Sequence, residues 1–394
     1  MGITQGDVPA IDPLDEQKAE VSLVEVPSTL APPKVKSRNK IIFWTVFIVL
    51  TVASTTYTFV KDFNIKGDEA MGAIGEQLSR NWWWLVLAVL VMILARFFQM
   101  LQSATIFHYY TGKLHMKTAF SNNMVQIFYG IVAHPVGGQP FAMYHLSKQK
   151  HLPEGVAIST PVLNYTIGRF ASLFISIIAI IFLAVNLFGS NDFLPTWVLV
   201  TAIIGIVVNL AITVFVLLSF VSVKASKKLT SIGTRMMKFL KLTKDHEKLY
   251  DKVIKKLDAT RDCIKNIGKS AHLWICVMWS IAFNLALSSI GYFVLKSFGF
   301  YTSHGWGWAE VVMLSLLIAR TMSIIPIPGK AGAVEMTNYG VFSLLLASAP
   351  GIAAGAMSVL TLRIISFYIP LLFTFICVLI IARLGYKRTD IAGN

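Results

Sequence analysis

His134-Pro135-Val136-Gly137-Gly138-Gln139-Pro140 and Pro326-Ile327-Pro328-Gly329-Lys330-Ala331-Gly332-Ala333-Val334-Glu335 are the stretches whose reading decides the fold. Each lies between apolar arms too short to cross a bilayer comfortably. Proline removes a backbone donor and clashes with the preceding turn. Glycine admits backbone angles that other residues avoid. A helix cannot run smoothly through either stretch. In hydrocarbon, broken backbone survives only where protein or a water-filled cavity covers it. Both stretches therefore read as re-entrant helical hairpins. Gly138 lies 31 residues before Arg169, and Gly332 lies 31 residues before Arg363. A turn sequence falls between in each case, Leu152-Pro153-Glu154-Gly155 and Ala349-Pro350-Gly351. The chain thus carries one pattern twice: a span, a broken hairpin, then a helix holding an arginine.

The surroundings are those of a membrane protein. Of 394 residues, 55% are apolar and 14% charged, against about a quarter charged in a soluble domain. This excludes a soluble enzyme, a disordered chain and a disulfide scaffold. Six runs read as full spans: Ile41–Val60, Trp82–Met100, Phe170–Gly189, Trp197–Val223, Ala271–Leu295 and Ile364–Ala382. Trp82-Trp83-Trp84 is an interfacial anchor. Residues 1–40 are polar and Pro-rich, read as disordered, and end in Lys34, Lys36, Arg38 and Lys40. No apolar run precedes Ile41, so no ordinary signal peptide is expected. Lys224–Ser270 carries 14 Lys+Arg against 5 Asp+Glu. Excess cations mark cytoplasmic loops, so this segment and both termini are placed inside the cytoplasmic membrane of a bacterial cell. Its amphipathic spacing suits the anionic inner leaflet or a solvated helical loop. The formal net charge of +15 is explained by these flanks, and nucleic acid is not expected as a partner. Cys263, Cys276 and Cys377 read as small buried hydrophobes. His108, His115, His134, His145 and His151 lack metal-ligand spacing on one helix face. No metal or cofactor is expected.

With six crossings and both termini inside, the first hairpin enters from the cytoplasm and the second from outside. The expected fold is an all-α polytopic membrane protein with six full transmembrane helices and two re-entrant helical hairpins arranged as an inverted repeat. Residues 41–394 form one membrane domain, with halves at 82–189 and 271–383 around the basic loop 224–270. Gly/Pro-broken segments at matching places in two halves point to a transporter site at the repeat interface.

The paired motifs resemble those of the flippase-like family, also called the lysylphosphatidylglycerol synthase transmembrane family. Pro135, Gly137, Gly138, Gln139 and Pro140 resemble its Pro-x-x-Gly-Gly-Gln/Glu-Pro element, here with a single residue between Pro135 and Gly137. Pro326, Pro328, Gly329, Gly332 and Glu335 match its Pro-x-Pro-Gly-x-x-Gly-x-x-Glu element. An arginine opening the helix after the first motif is also typical, here Arg169. The resemblance spans roughly Trp82 to Ala382. It implies a membrane domain that moves a lipid between leaflets, like that of the multiple peptide resistance factor, whose relatives flip aminoacylated phosphatidylglycerol. Gln139 stands where other branches carry Glu, and Ala142 where some carry Arg. The chain stops 12 residues after Ala382, so the aminoacyltransferase domain fused to many members is not expected, nor is synthase activity.

Arg96, Arg169, Arg320 and Arg363 all interrupt apolar runs. A charge at mid-bilayer costs about 2.5–3.5 kcal/mol on insertion scales and normally faces a cavity or a partner. The guanidinium fork suits a phosphate headgroup. Arg96 and Arg169 are alternatively interfacial, with their heads in water. Three roles are open to Glu335: pairing with an arginine such as Arg320, contacting a headgroup amine, or carrying a proton. Gln139 either meets substrate or satisfies broken backbone, and Asn164 and Tyr165 either line a cavity or pack between helices. The candidate substrate-binding set is Pro135, Gly137, Gly138, Gln139, Pro140, Arg169, Arg320, Pro326, Pro328, Gly329, Gly332, Glu335 and Arg363. The expected function is translocation of an anionic or aminoacylated phospholipid, or of a polyprenyl-linked lipid. The alternatives are a scaffold subunit for a separate lipid synthase, and an integral-membrane glycosyltransferase using Asp62, Asp68 or Glu69.

Overall fold

The computed structural model describes residues 72–132, 138–149, 154–187, 264–300, 307–321, 333–346 and 352–383, with isolated helical positions between 200 and 261. Among the described residues the regular structure is helical. We number the helices α1 Trp83–Thr111, α2 Met116–Val132, α3 Gly138–Tyr144, α4 Glu154–Leu187, α5 Ala271–Ser297, α6 Trp308–Thr321, α7 Ala333–Leu345, α8 Ile352–Arg363 and α9 Ile369–Arg383. π-helical turns occupy His145–Gln149 and Ile364–Tyr368.

Among the described residues, four helices are long and apolar enough to cross a membrane: Trp83–Thr111, Gly155–Leu183, Ala271–Ser297 and Ala354–Ile381. They correspond to four of the six expected spans. Ile41–Val60 lies outside the described residues, as does most of Trp197–Val223. Two spans start earlier than their apolar runs. The helix expected from Phe170 begins at Glu154, so Arg169 lies midway along it and does not open it. Hydroxyls allow this extension, because they can donate to carbonyls one turn back. Thr160 Oγ1 donates to the Val156 carbonyl at 2.9 Å, next to the in-helix Pro161. The helix expected from Ile364 likewise continues back through the π-helical turn into α8. That turn ends just before Pro370, which cannot donate to the helix. The widened turn takes up the register, and the Ile369 N–H bonds to the Ile364 carbonyl five residues back.

The outward faces are apolar. On α1, Val86, Leu90, Ile93, Leu94 and Phe97 are exposed while Ala88, Met92 and Ala95 are buried. On α4 the exposed set includes Phe170, Phe174, Ile177, Ile181 and Val185, and on α9 it includes Leu372, Phe373, Ile376 and Ile380. A helix with its large apolar residues outward and its small ones inward suits a lipid surround.

The two halves match element by element. Gly138 to Gly332 and Arg169 to Arg363 are each a shift of 194 residues (332 − 138 and 363 − 169). That shift carries α1 onto α5, α2 onto α6, α3 onto α7, and α4 onto α8 with α9. The packing is reciprocal. α2 packs on α9 of the other half, and its counterpart α6 packs on α4. α1 and α5 pack on each other over their lengths, in antiparallel directions. Trp84 stacks on Phe293 at 5.9 Å, Phe98 on Trp279 at 5.8 Å, and His108 meets His272 at 5.6 Å.

α3 packs tightly on α2. A Cβ on Gly138 would lie 2.5 Å from the Gln126 carbonyl oxygen and 2.9 Å from the Gly130 nitrogen, both α2 backbone. Backbone cannot step aside as a side chain can. Gly138→Ala is expected to destabilise the protein by about 1–3 kcal/mol, the usual range for overpacking. Gly75→Ala, which meets open space, is expected to be neutral or slightly stabilising. Thermal unfolding of the purified protein in detergent compares the two, and equal melting temperatures would refute the tight α2–α3 contact.

Candidate functional site

A polar cavity of about 320 Å³ lies among α1, α2, α3, α4 and α5. Its cationic walls are Arg96 of α1 and Arg169 of α4, and its amides include Gln126, Gln139, Asn164 and Asn284. Arg96 is the fourteenth of 29 residues in α1, Arg169 the sixteenth of 34 in α4, and Asn284 the fourteenth of 27 in α5. At 1.5 Å rise per residue these side chains leave their helices about 20 Å from the nearest end. Arg96 and Arg169 thus leave their helices far from either end.

Each polar group is held by its neighbours. Arg96 donates from Nη1 to Gln99 Oε1 at 3.1 Å, and its Cζ lies 5.9 Å from the Phe283 ring centre. Its Nε is buried without a hydrogen-bond partner among the described residues. Arg169 lies over the Tyr165 ring at 5.0 Å. Asn164 donates to Ser103 Oγ at 2.7 Å, and Gln102 donates to the Asn164 carbonyl at 3.3 Å, which fixes α4 against α1. The Asn164 Oδ1 is buried and has no partner among the described residues. Gln126 donates to Gln139 Oε1 at 2.9 Å and ties the hairpin arms together. Unpaired buried donors and acceptors are costly, and here they belong to a cavity that a polar ligand would fill.

A second cavity of about 380 Å³ adjoins the first, and Arg96 and Ile127 line both. The rest of its wall is almost wholly apolar, with Met92, Phe97 and Met124 on one side and Pro370, Phe373 and Thr374 of α9 on the other.

The expected site residues divide. Gln139 and Arg169 come together in the polar cavity. Gly138 supports it by letting α3 approach α2, and Pro140 is exposed beside it. Asn164 and Tyr165, for which lining and packing were both open, line it. Glu335 and Arg363 do not line either cavity. They form a buried ion pair, with Arg363 Nε and Nη2 donating to Glu335 Oε1 at 2.7 and 2.5 Å. Arg363 also lies over Phe367 at 5.0 Å. Glu335 thus takes the pairing role, with Arg363 as its arginine. Arg320 lies in α6, while Pro135, Gly137, Pro326, Pro328, Gly329 and Gly332 lie outside the described residues, as do Asp62, Asp68 and Glu69. Gln99, Gln102, Gln126 and Asn284 were missed as site residues. Their signal was present, since each is an amide inside a strongly apolar helix.

Long apolar-faced helices around a charged cavity at half their height define a polytopic membrane protein with an internal polar site. The match is more specific than that class. The family model described as "Lysylphosphatidylglycerol synthase TM region" covers residues 68–374, and the chain belongs to that family. It is similar to the UPF0104 membrane protein MJ1595 of Methanocaldococcus jannaschii, with 23% identity over 255 residues, 63% of this chain and 69% of the relative. No solved structure matches.

The ion pair has a measurable signature. Removing one member of a buried pair typically costs about 3–5 kcal/mol, because the other charge is left alone, whereas replacing both is often near neutral. Glu335→Leu and Arg363→Met are each expected to lower the melting temperature strongly, and the double variant to recover most of the loss. Simple addition of the two losses would show that the pair is not coupled.

Proposed function

We propose that this chain translocates a lipid between membrane leaflets, with the headgroup passing through the polar cavity while the acyl chains stay in hydrocarbon. The observation that carries this reading is the pair of half-buried arginines at half-height of adjacent spans. An arginine there is costly, and a protein that only needed to span would have no use for two of them around a space. The family supports a membrane domain of this type. The proposal also takes the matched halves as an inverted repeat. α1 and α5 are counterparts packed antiparallel, so as membrane spans they would cross in opposite directions. The Gly/Pro-broken hairpins would then enter from opposite faces and bring broken backbone to the site.

Two steps are assigned to named groups. The guanidiniums of Arg96 and Arg169 receive the headgroup phosphate and replace part of its water shell. The amides of Gln139, Asn164 and Asn284 meet its remaining polar groups, so the headgroup crosses the low-dielectric region without full exposure to it. The proposed location is the cytoplasmic membrane, with the basic segment 224–270 against its inner face.

Leaflet exchange in proteoliposomes tests this. Fluorescent phospholipids and an impermeant quencher report lipid that changes leaflet. Wild-type protein is expected to accelerate exchange of at least one lipid class. Arg169→Ala is expected to slow it by about 10- to 100-fold, the equivalent of one or two charged hydrogen bonds. A folded protein that exchanges no lipid, with or without a proton gradient, would overturn autonomous translocation and favour a subunit that needs a partner enzyme.

A further inference from the structure

Resting on the lipid-translocation reading, we infer that α3 and the π-helical turn after it form a movable arm, which parts from α2 at Asn122 to admit the headgroup to the polar cavity. Asn122 carries the argument. It is fully buried, and neither its Nδ2 nor its Oδ1 has a hydrogen-bond partner among the described residues. The next residue, Asn123, donates from Nδ2 to the Arg96 carbonyl at 3.4 Å, and its Oδ1 is buried and unpaired. An amide taken from water without a new partner destabilises the arrangement that buries it. The fold does not require an amide at this place. Under the 194-residue shift Asn122 and Asn123 correspond to Leu316 and Leu317, which are buried on α6. One copy of the helix fills these places with leucine. The other holds amides that water would satisfy once the contact parts.

The neighbours of Asn122 show what must move. Ser121 Oγ lies 3.1 Å from His145 Nε2 of the π-helical turn, and Gln126 donates to Gln139 of α3. A helix turns about 100° per residue, so Asn122 leaves α2 between these two contacts, toward the arm. Gly138 meets the α2 backbone with no space for a Cβ, and the Tyr129 and Phe141 rings stack at 3.8 Å. That closed contact keeps water from Asn122. The arm itself is a seven-residue helix running into a π-helical turn, and such turns are frequent at functional sites. Its counterpart α7 is tied to α8 by the Glu335–Arg363 pair. In α3 the place of Glu335 is taken by Phe141, so that tie is absent. Gln126, Gly130 and Gln139 line the polar cavity, so parting α3 from α2 widens it.

Hydrogen exchange read by mass spectrometry on the full-length protein in nanodiscs tests this without requiring transport. Amide exchange follows the population of locally opened states. In Asn122→Leu, peptides covering 121–130 and 138–149 are expected to exchange about 10- to 100-fold more slowly, the range that corresponds to one buried amide left unpaired. Peptides from α9 are expected to keep their wild-type rates. A second variant closes the arm directly. Tyr129→Cys and Phe141→Cys are introduced together, with Cys263, Cys276 and Cys377 replaced by alanine. Oxidation to the disulfide is expected to stop leaflet exchange in proteoliposomes, and reduction to restore it, so the inference does not hang on Asn122→Leu folding. Slowing of equal size in α9 would show general stabilisation and overturn a local arm. Unchanged hydrogen exchange in Asn122→Leu, or leaflet exchange that survives the disulfide, would overturn it as well. Hydrogen exchange as described in a protein that moves no lipid would sink translocation while leaving the movable arm standing.

Discussion

Along the seam between α1 and α5, aromatic pairs at both ends and the middle lock two counterpart helices in antiparallel contact, from Trp84 on Phe293 to His108 beside His272. Everything else is arranged about that seam. Because α1 and α5 are equivalent in the two halves, each presents the same side to the other. α2 and α6 are then carried across to the opposite half, where they meet α9 and α4. Without a hydrophobic drive between helices in lipid, such association depends on close packing and on interhelical polar contacts. The small buried residues Ala88, Ala95, Ser103 and Ala104 on α1 supply the first. Asn164 to Ser103 supplies the second.

The cations interrupting these helices have two different fates. Arg363 has a carboxylate partner, and the two are buried together where α8 gives way to the π-helical turn. A pair of this kind fixes a position, because both charges are desolvated and neither can move without exposing the other. It joins α7, which follows the second broken motif, to the helix that carries Arg363. Arg96 is set differently, with its Nη1 bonded to the Gln99 amide, and Arg169 lies over the Tyr165 ring.

The sequence carried the arginines plainly, while most of both Gly/Pro motifs lies outside the described residues. The 31-residue interval placed Arg169 and Arg363 at corresponding points. Helix lengths were less legible. Hydropathy marks where a helix meets lipid, and the first turns of α4 and α8 are covered by protein, so Ser159, Thr160 and Ser358 are tolerated there although they weaken the apolar signal. The partner of Glu335 was not legible at all. Arg320 and Arg363 are both within reach in sequence, and it is the packing of α7 against α8 that brings Arg363 to it.

The same limit explains why the polar cavity draws chiefly on the first half. Under the 194-residue shift, Gln139 corresponds to Ala333 and Asn164 to Ser358, while Phe141 corresponds to Glu335. One copy has kept amides around its arginine, and the other has placed a carboxylate against it. A repeated backbone thus carries two unlike electrostatic arrangements, an ion pair that ties α7 to α8 within the second half and a set of amides around Arg169 in the first. An inverted repeat with two identical polar spaces would carry four buried cations to shelter. Pairing the second copy's arginine with its own carboxylate lessens that burden.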